Sequence, residues 1–335
     1  MNTETEIVFH KKFPIVSTVI TLVLILICIA LGWLYTETRG PVTGAETEPF
    51  VVPTDTTSAQ VISKIETAGF VRSPWLFETI LRSKNPSGNI LPGGYELSKS
   101  MNVFALADVL TAKPISLWVT IPEGLRKEEI AEIMKSKLAW NDESVTAFLD
   151  AYKTLGQDYY EGAYFPETYL VPVADGGAKV AKRMTGIFNE KLATLTPILA
   201  KQNVRWTTAL KVASLVQREA ASKADMPVIA AIIWNRLTQH QRLEVDATIQ
   251  YAKNTSSGWW VSLTSGDTNF DSPYNTYRHD GLPPTPISNP GLDALTAAAN
   301  PPVSKCLYYL HDSNRAIHCA VTFAEHKANI AKYLK

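Results

Sequence analysis

Cysteine is scarce, with three in 335 residues, which excludes a disulfide-dense small scaffold. Six scattered histidines offer no zinc-type spacing, so no metal and no cofactor is expected. Neither sign of charge is in excess: 32 Lys and Arg face 32 Asp and Glu. The basic footprint of a nucleic-acid-binding protein is therefore missing. There is no Gly-x-Ser-x-Gly elbow, Walker loop, dinucleotide fingerprint or His-Glu-x-x-His. Nucleophilic-serine, nucleotide and zinc-protease chemistries lack support accordingly. What the chain does have is 46 % hydrophobic and 19 % charged residues, a globular composition at a length of about two domains.

One segment departs from that soluble picture. From Phe13 to Tyr35 no residue is charged, and a spanning helix needs only about 20 apolar residues. A cleaved signal peptide has a shorter apolar core, and the weak Thr43-Gly44-Ala45 site lies well past this one. An uncleaved single-pass anchor over 13–36 is the expectation. Lys11 and Lys12 before it, against Glu37 and Arg39 after it, orient residues 1–12 to the cytoplasm by the positive-inside rule. The body then lies outside the cytoplasmic membrane, behind a tether at 37–48 (ETRGPVTGAETE) that reads as flexible.

The outer body reads as α+β in two parts. Residues 49–118 carry a short strand at Phe50–Pro53 and a helix marked by Val61, Ile62 and Ile65. A second helix begins at Pro74, with Trp75, Leu76, Phe77, Ile80 and Leu81 apolar; a third is capped by Asn102, and a strand covers Ile115–Ile121. This is too little chain to hold an enzyme cleft comfortably, and it suits a binding module. Residues 119–335 form the larger part. It opens with the turn Pro122-Glu123-Gly124 and a helix at Arg126–Leu138 burying Ile130 and Ile133. An aromatic cluster at Tyr159, Tyr160, Tyr164, Phe165 and Tyr169 follows, suited chiefly to packing and also able to line a sugar site by stacking on pyranose rings.

The helix expected over Trp206–Ser222 is the most informative. At about 100° per residue, Ala209, Val212, Ala213, Leu215, Val216 and Ala220 share one arc, with Lys211, Ser214 and Arg218 opposite. Glu219 falls inside the apolar arc, where lost hydration raises a carboxyl's pKa. Such a group suits proton donation at neutral pH; it equally suits a buried ion pair with Arg236 or Arg278, and both readings stay open at this point. A helix at Asp225–Gln239 with an Asp N-cap comes next. Ser272–Pro290, rich in proline and asparagine, reads as an ordered binding loop. At the end, strands Lys305–Leu310 and Ala316–Thr322 precede a capping box at Thr322–Glu325. Cys306 and Cys319 lie at equal distances from the hairpin turn, so a disulfide between them is possible in an oxidising compartment. A zinc site from these cysteines with His311 and His318 fits less well, since adjacent strand residues face opposite ways.

Carboxylate acid/base chemistry thus remains, centred on Glu219. An ordinary glycoside hydrolase needs a second acid, for which Asp246, Glu167 and Asp271 are available.

Several motifs resemble the YceG-like (MltG) endolytic murein transglycosylases. They are Ile121-Pro122-Glu123-Gly124, Tyr160-Glu161-Gly162 to Phe165-Pro166-Glu167-Thr168-Tyr169, Ala213-Ser214-Leu215-Val216-Gln217-Arg218-Glu219 and Asn235-Arg236-Leu237. Tyr274-Asn275-Thr276-Tyr277 with Gly281-Leu282-Pro283-Pro284 and Pro290-Gly291 completes the match. The resemblance spans about 119–334, and the preceding part resembles the family's LysM-like module more loosely. It implies water-free cleavage of MurNAc–GlcNAc bonds in peptidoglycan, giving 1,6-anhydroMurNAc ends and terminating strand growth. Glu219 holds the position of the family's catalytic acid, while Gln217 replaces a second acid that many members carry. On that mechanism Tyr274, Asn275 and Tyr277 would contact substrate, with Asp246 and Glu167 supporting them from behind; the Asn275 side chain could instead form the turn, and Glu167 could cap a helix or turn. The partners that the resemblance implies are peptidoglycan glycan strands, the cell membrane and peptidoglycan synthases (penicillin-binding proteins). The alternatives are a hydrolysing muramidase and a non-catalytic, membrane-anchored glycan-binding or scaffold protein.

Overall fold

A computed structural model describes residues 13–154, 161–253 and 258–334. Tyr159, Tyr160, Lys11, Lys12 and the rest of the expected cytoplasmic tail lie outside the described residues. The chain divides into two compact units, Met1–Leu117 and Trp118–Lys335, and the architecture is mixed α+β.

The first unit begins with helix α1 (Phe13–Thr38), whose Val16–Thr38 stretch is long and apolar enough to cross a membrane. The segment after it differs from the flexible tether expected at 37–48. Val42 N–H donates to Lys99 O at 3.1 Å, and Ala45 O accepts from Ser98 Oγ at 2.6 Å. Thr47 and Glu48 already belong to strand β1 (Thr47–Val52). Polar composition suggested a free linker, but backbone groups in this stretch find partners at the end of β2 (Gly93–Ser98), antiparallel to β1 with Phe50 opposite Tyr95.

Helices α2 (Ser58–Thr67), α3 (Pro74–Lys84) and α4 (Val103–Thr111) complete this unit. Each starts at a side-chain cap, Thr57, Ser73 and Asn102 respectively, which satisfies a backbone N–H that the helix itself leaves free. Ile65, Phe77, Leu81, Leu97, Leu106 and Leu110 are fully buried and form the core. Trp75, one of the apolar positions of α3, is 69 % exposed; it stands at the second helical residue, before the apolar stripe closes on the core. Strand β3 (Ser116–Thr120) aligns Ser116 with Gly94.

The second unit takes over within β3. Thr120 Oγ1 meets Thr168 Oγ1, at the start of strand β4 (Thr168–Pro172), at 3.0 Å. Between them run α5 (Lys127–Leu138), α6 (Asp142–Leu149) and the short α7 (Ala151–Thr154). Ile130 of α5 is buried as expected, whereas Ile133 is only half-buried. The long α8 (Gly177–Lys201) starts against α6 so closely that a Cβ on Gly177 would stand 1.9 Å from Ser144 O. Only glycine fits there.

At the centre lies α9 (Trp206–Glu219), flanked by α10 (Met226–Thr238) and by α12 (Leu292–Ala299), whose run of small side chains lets the backbones approach. Helix α9 ends at Glu219, short of the expected Ser222. Its burial also exceeds what its pattern implies: Ser214, assigned to the polar face, is 0 % exposed. Ser214 Oγ donates to Lys211 O and accepts from Ile287 N–H at 3.1 Å, so its hydroxyl is satisfied inside the core. Asp225 precedes α10 without capping it; its carboxylate accepts from Ser222 N–H at 3.0 Å instead.

Helix α11 (Asp246–Lys253) and the hairpin β5 (Tyr308–His311) and β6 (Ile317–Ala320) follow, closed by α13 (Phe323–Tyr333) with the expected Thr322–Glu325 capping box. The strands are shorter than expected, and the register sets Cys319 opposite Tyr309. Cys306 lies before β5 and approaches Cys319 diagonally, their Cα atoms 5.9 Å apart with the sulfurs at bonding distance.

Candidate active site

Glu219, the last residue of α9, reaches a cavity of about 350 Å³ inside the second unit. Asp246, Glu244 and Tyr277 line it with Arg236 from α10, Tyr308 and Tyr309 from β5, and Phe323 and His326 from α13. The segment before α11 is held to the Tyr274–Tyr277 loop: Val245 N–H donates to Thr276 Oγ1 at 2.9 Å, and Thr248 Oγ1 meets Thr276 Oγ1 at 3.1 Å. Both segments thus arrive at the cavity as one piece.

The Tyr309 hydroxyl donates to Glu219 Oε2 at 2.5 Å. Burial is the largest influence on Glu219 and raises its pKa. The Tyr309 bond acts the other way, nearby Asp246 raises it further, and His311 and the Ala247 N–H lower it. Burial and the neighbouring Glu219 charge hold the Tyr309 phenol well above its ordinary value, so it stays a donor. Tyr277 Oη donates to Asp246 Oδ1 at 2.7 Å, which keeps that carboxylate occupied at the rim.

The two arginines named as ion-pair partners of Glu219 are engaged elsewhere. Arg236 donates to Leu307 O at 2.7 Å, to Leu243 O at 2.9 Å and to Glu244 at 3.2 Å. Arg278 donates to Asn269 O and pairs with Asp271 at 3.3 Å. Among the described residues Glu219 has no salt-bridge partner within 4 Å. A buried carboxyl aimed into a cavity and lacking a counter-ion is arranged to carry a proton.

The structure brings together Glu219, Asp246 and Tyr277 among the expected site residues, and sets the others apart. Asn275, expected to contact substrate, is 0 % exposed. Its Nδ2 donates to Thr268 O and Phe270 O at 3.0 and 2.7 Å, while Oδ1 accepts from Tyr277 N–H at 3.0 Å. Its amide is spent on folding the loop that presents Tyr277. Tyr274 packs its ring 5.0 Å from that of Tyr251 and bonds Thr285 Oγ1, away from the cavity lining. Glu167 is exposed, and its Oε1 accepts from Thr168 N–H, beside β4.

Sequence reasoning missed Tyr309, although the alternation of Tyr309 and His311 along a strand placed both on one face. It also missed the buried Glu161. Its Oε1 accepts from Lys127 N–H at 2.9 Å and Asn289 Nδ2 at 2.7 Å, Oε2 has no partner among the described residues, and burial pushes its pKa up to about 8. Asn289 in turn accepts from Tyr164 N–H and donates to Leu125 O. The adjoining Gly291 N–H donates to Gln217 Oε1 at 3.0 Å. Gln217, where a second acid was noted as absent, therefore fastens α9 to the loop before α12.

Comparison with known proteins gives a consistent set. The model of the YceG-like family matches residues 50–332. A Bacillus subtilis protein named endolytic murein transglycosylase is 28 % identical over 305 residues, covering 84 % of each chain. A Streptococcus pneumoniae protein of the same name is also 28 % identical, over 84 % of this chain and 58 % of its own length. The crystal structure of a YceG-like protein from Listeria monocytogenes superposes with a TM-score of 0.58 at 25 % identity, covering 85 % of this chain and 99 % of that one.

Proposed function

Because the chain belongs to the YceG-like family, we propose that it is an endolytic peptidoglycan lytic transglycosylase with Glu219 as its single acid and base. The observation that carries this reading is the Glu219 carboxyl itself: desolvated, raised in pKa, without a salt bridge among the described residues and facing a cavity. Relatives named endolytic murein transglycosylase add support.

In this mechanism protonated Glu219 donates to the glycosidic oxygen as positive charge develops at C1 of MurNAc. The Tyr309 hydroxyl steadies the carboxylate that results. That carboxylate then takes the proton of the MurNAc 6-hydroxyl, whose oxygen attacks C1 and closes the 1,6-anhydro ring. The nucleophile belongs to the substrate, so one carboxyl suffices. Helix α1 would hold the body against the outer face of the cytoplasmic membrane, where new strands emerge and synthases work. That setting suits a terminator of strand growth.

The test uses the full-length protein in detergent micelles with purified sacculi, wild type beside Glu219→Gln, each checked for its fold. Soluble muropeptides ending in 1,6-anhydroMurNAc from wild type alone are expected. Reducing MurNAc ends would instead mean hydrolysis, with Asp246 as the nearby second acid. Release by a folded Glu219→Gln protein at the wild-type rate would remove Glu219 from the chemistry.

A further inference from the structure

The Glu219 cavity has two unlike walls. Glu219, Glu244, Asp246 and Tyr277 make a polar one; Tyr308, Phe323 and His326 make an aromatic one, with the Arg236 guanidinium 5.0 Å over the Tyr308 ring. Two features of the aromatic wall remain open to a ligand. Phe323, the first residue of α13, is 56 % exposed, and α13 buries no residue at all. His326 Nδ1 is buried without a hydrogen-bond partner among the described residues. A buried polar atom in that position costs stability unless something supplies the missing bond.

The ring geometry indicates what that something is. Tyr308 and His326 stack with centroids 5.4 Å apart at 22°, and Phe323 meets Tyr308 at 5.7 Å and 51°. With the Arg236 guanidinium 5.0 Å over Tyr308 and the Lys327 ammonium 5.2 Å over Phe323, they offer an aromatic face edged by cations, with one polar atom recessed in it. A sugar ring with only hydroxyl substituents would leave much of that face unfilled. A 2-acetamido group presents a methyl to the aromatic rings and an amide to the imidazole. Its amide both donates and accepts, so it satisfies Nδ1 in either tautomer.

Resting on the reading of this cavity as a glycan cleft, we propose that Tyr308, Phe323 and His326 form a recognition wall for the N-acetyl group of an amino sugar. The wall makes the enzyme selective for fully N-acetylated strands over de-N-acetylated ones. Selectivity then comes from α13 and β5, while the proton chemistry comes from α9.

The test separates binding from cleavage. Full-length Glu219→Gln protein in micelles is co-sedimented with sacculi that are fully N-acetylated and with sacculi treated with a deacetylase. The expected result is at least fivefold tighter binding to the acetylated form. Adding His326→Ala or Phe323→Ala should weaken that binding about five- to tenfold and change binding to deacetylated sacculi less than twofold. Equal binding to both glycans, equal losses on both, or no binding to either would overturn the proposal. Selective binding by the Glu219→Gln protein, with no 1,6-anhydro ends from wild type, would uphold the wall and refute the lyase reading instead.

Discussion

Tyr309→Phe removes a single hydroxyl from the site, and the structure fixes the direction of its effect. The Tyr309 O–H donates to Glu219 Oε2, and this bond lowers the Glu219 pKa against the larger, opposing influence of burial. A hydrogen bond to a charged group is worth about 1.5–3 kcal/mol and one to a neutral group about 1 kcal/mol. The difference, roughly 0.5–2 kcal/mol, favours the ionised carboxyl and corresponds to about 0.4–1.5 pH units. Without the hydroxyl, Glu219 keeps its proton to higher pH. The alkaline limb of kcat/KM, where the acid form is lost, should therefore move upward by that amount. The rate at the optimum should fall, because the carboxylate formed after donation has lost its donor. Initial rates of 1,6-anhydro end release, followed by mass spectrometry from pH 5 to about 9 for both proteins, measure this. A limb that stays put or moves down would show that Tyr309 does not govern the Glu219 proton.

Other consequences follow from the buried network and the hairpin. Glu161 has a folded pKa of about 8 against an ordinary 4.5, so between those values the folded state holds a proton that the unfolded chain releases. Stability should fall with rising pH across that window, by up to about 1.4 kcal/mol per unit; Glu161→Gln should flatten the slope in thermal melts, and an unchanged slope would exclude Glu161 as its source. Asn289→Ala removes the side-chain bonds to Tyr164 N–H, Leu125 O and Glu161 Oε1, although Leu125 O keeps the Asn289 N–H and Glu161 Oε1 keeps the Lys127 N–H; a loss of about 2 kcal/mol should lower the melting temperature by about 4–8 °C, and a shift under 2 °C would contradict it. A Cys306–Cys319 disulfide closing a 13-residue separation should contribute about 3 kcal/mol. A non-reducing peptide map showing both thiols free, or a Cys306→Ser/Cys319→Ser protein melting like wild type, would count against it.

The sequence carried some of this plainly. The apolar arc around Glu219 identified the carboxyl that burial perturbs, because helix periodicity is local. Caps at Asn102 and Thr322 were legible for the same reason. Tyr309 was not, since its role depends on a hairpin register that sets β5 against a helix end 90 residues earlier in the chain. Nor was the pairing of Glu161 with Asn289, which are 128 residues apart. Asn275 shows the converse limit: an asparagine in a polar loop looks the same whether its amide faces solvent or folds the loop. The tether at 37–48 misled because composition cannot reveal hydrogen bonds to Lys99 and Ser98.

That Glu219 closes α9 has an electrostatic consequence beyond burial. The peptide dipoles of the helix align so that its C-terminal end carries about half a negative charge. A carboxyl placed there ionises against that field, while the Ala247 N–H in the first turn of α11 favours its ionised form. Burial varies as glycan enters and water leaves the cavity, whereas this field belongs to the backbone and is present in every state of the site. Gln217, by tying the last turn of α9 to Gly291, keeps the end of the helix in place. The acid is therefore set by the scaffold before any sugar arrives.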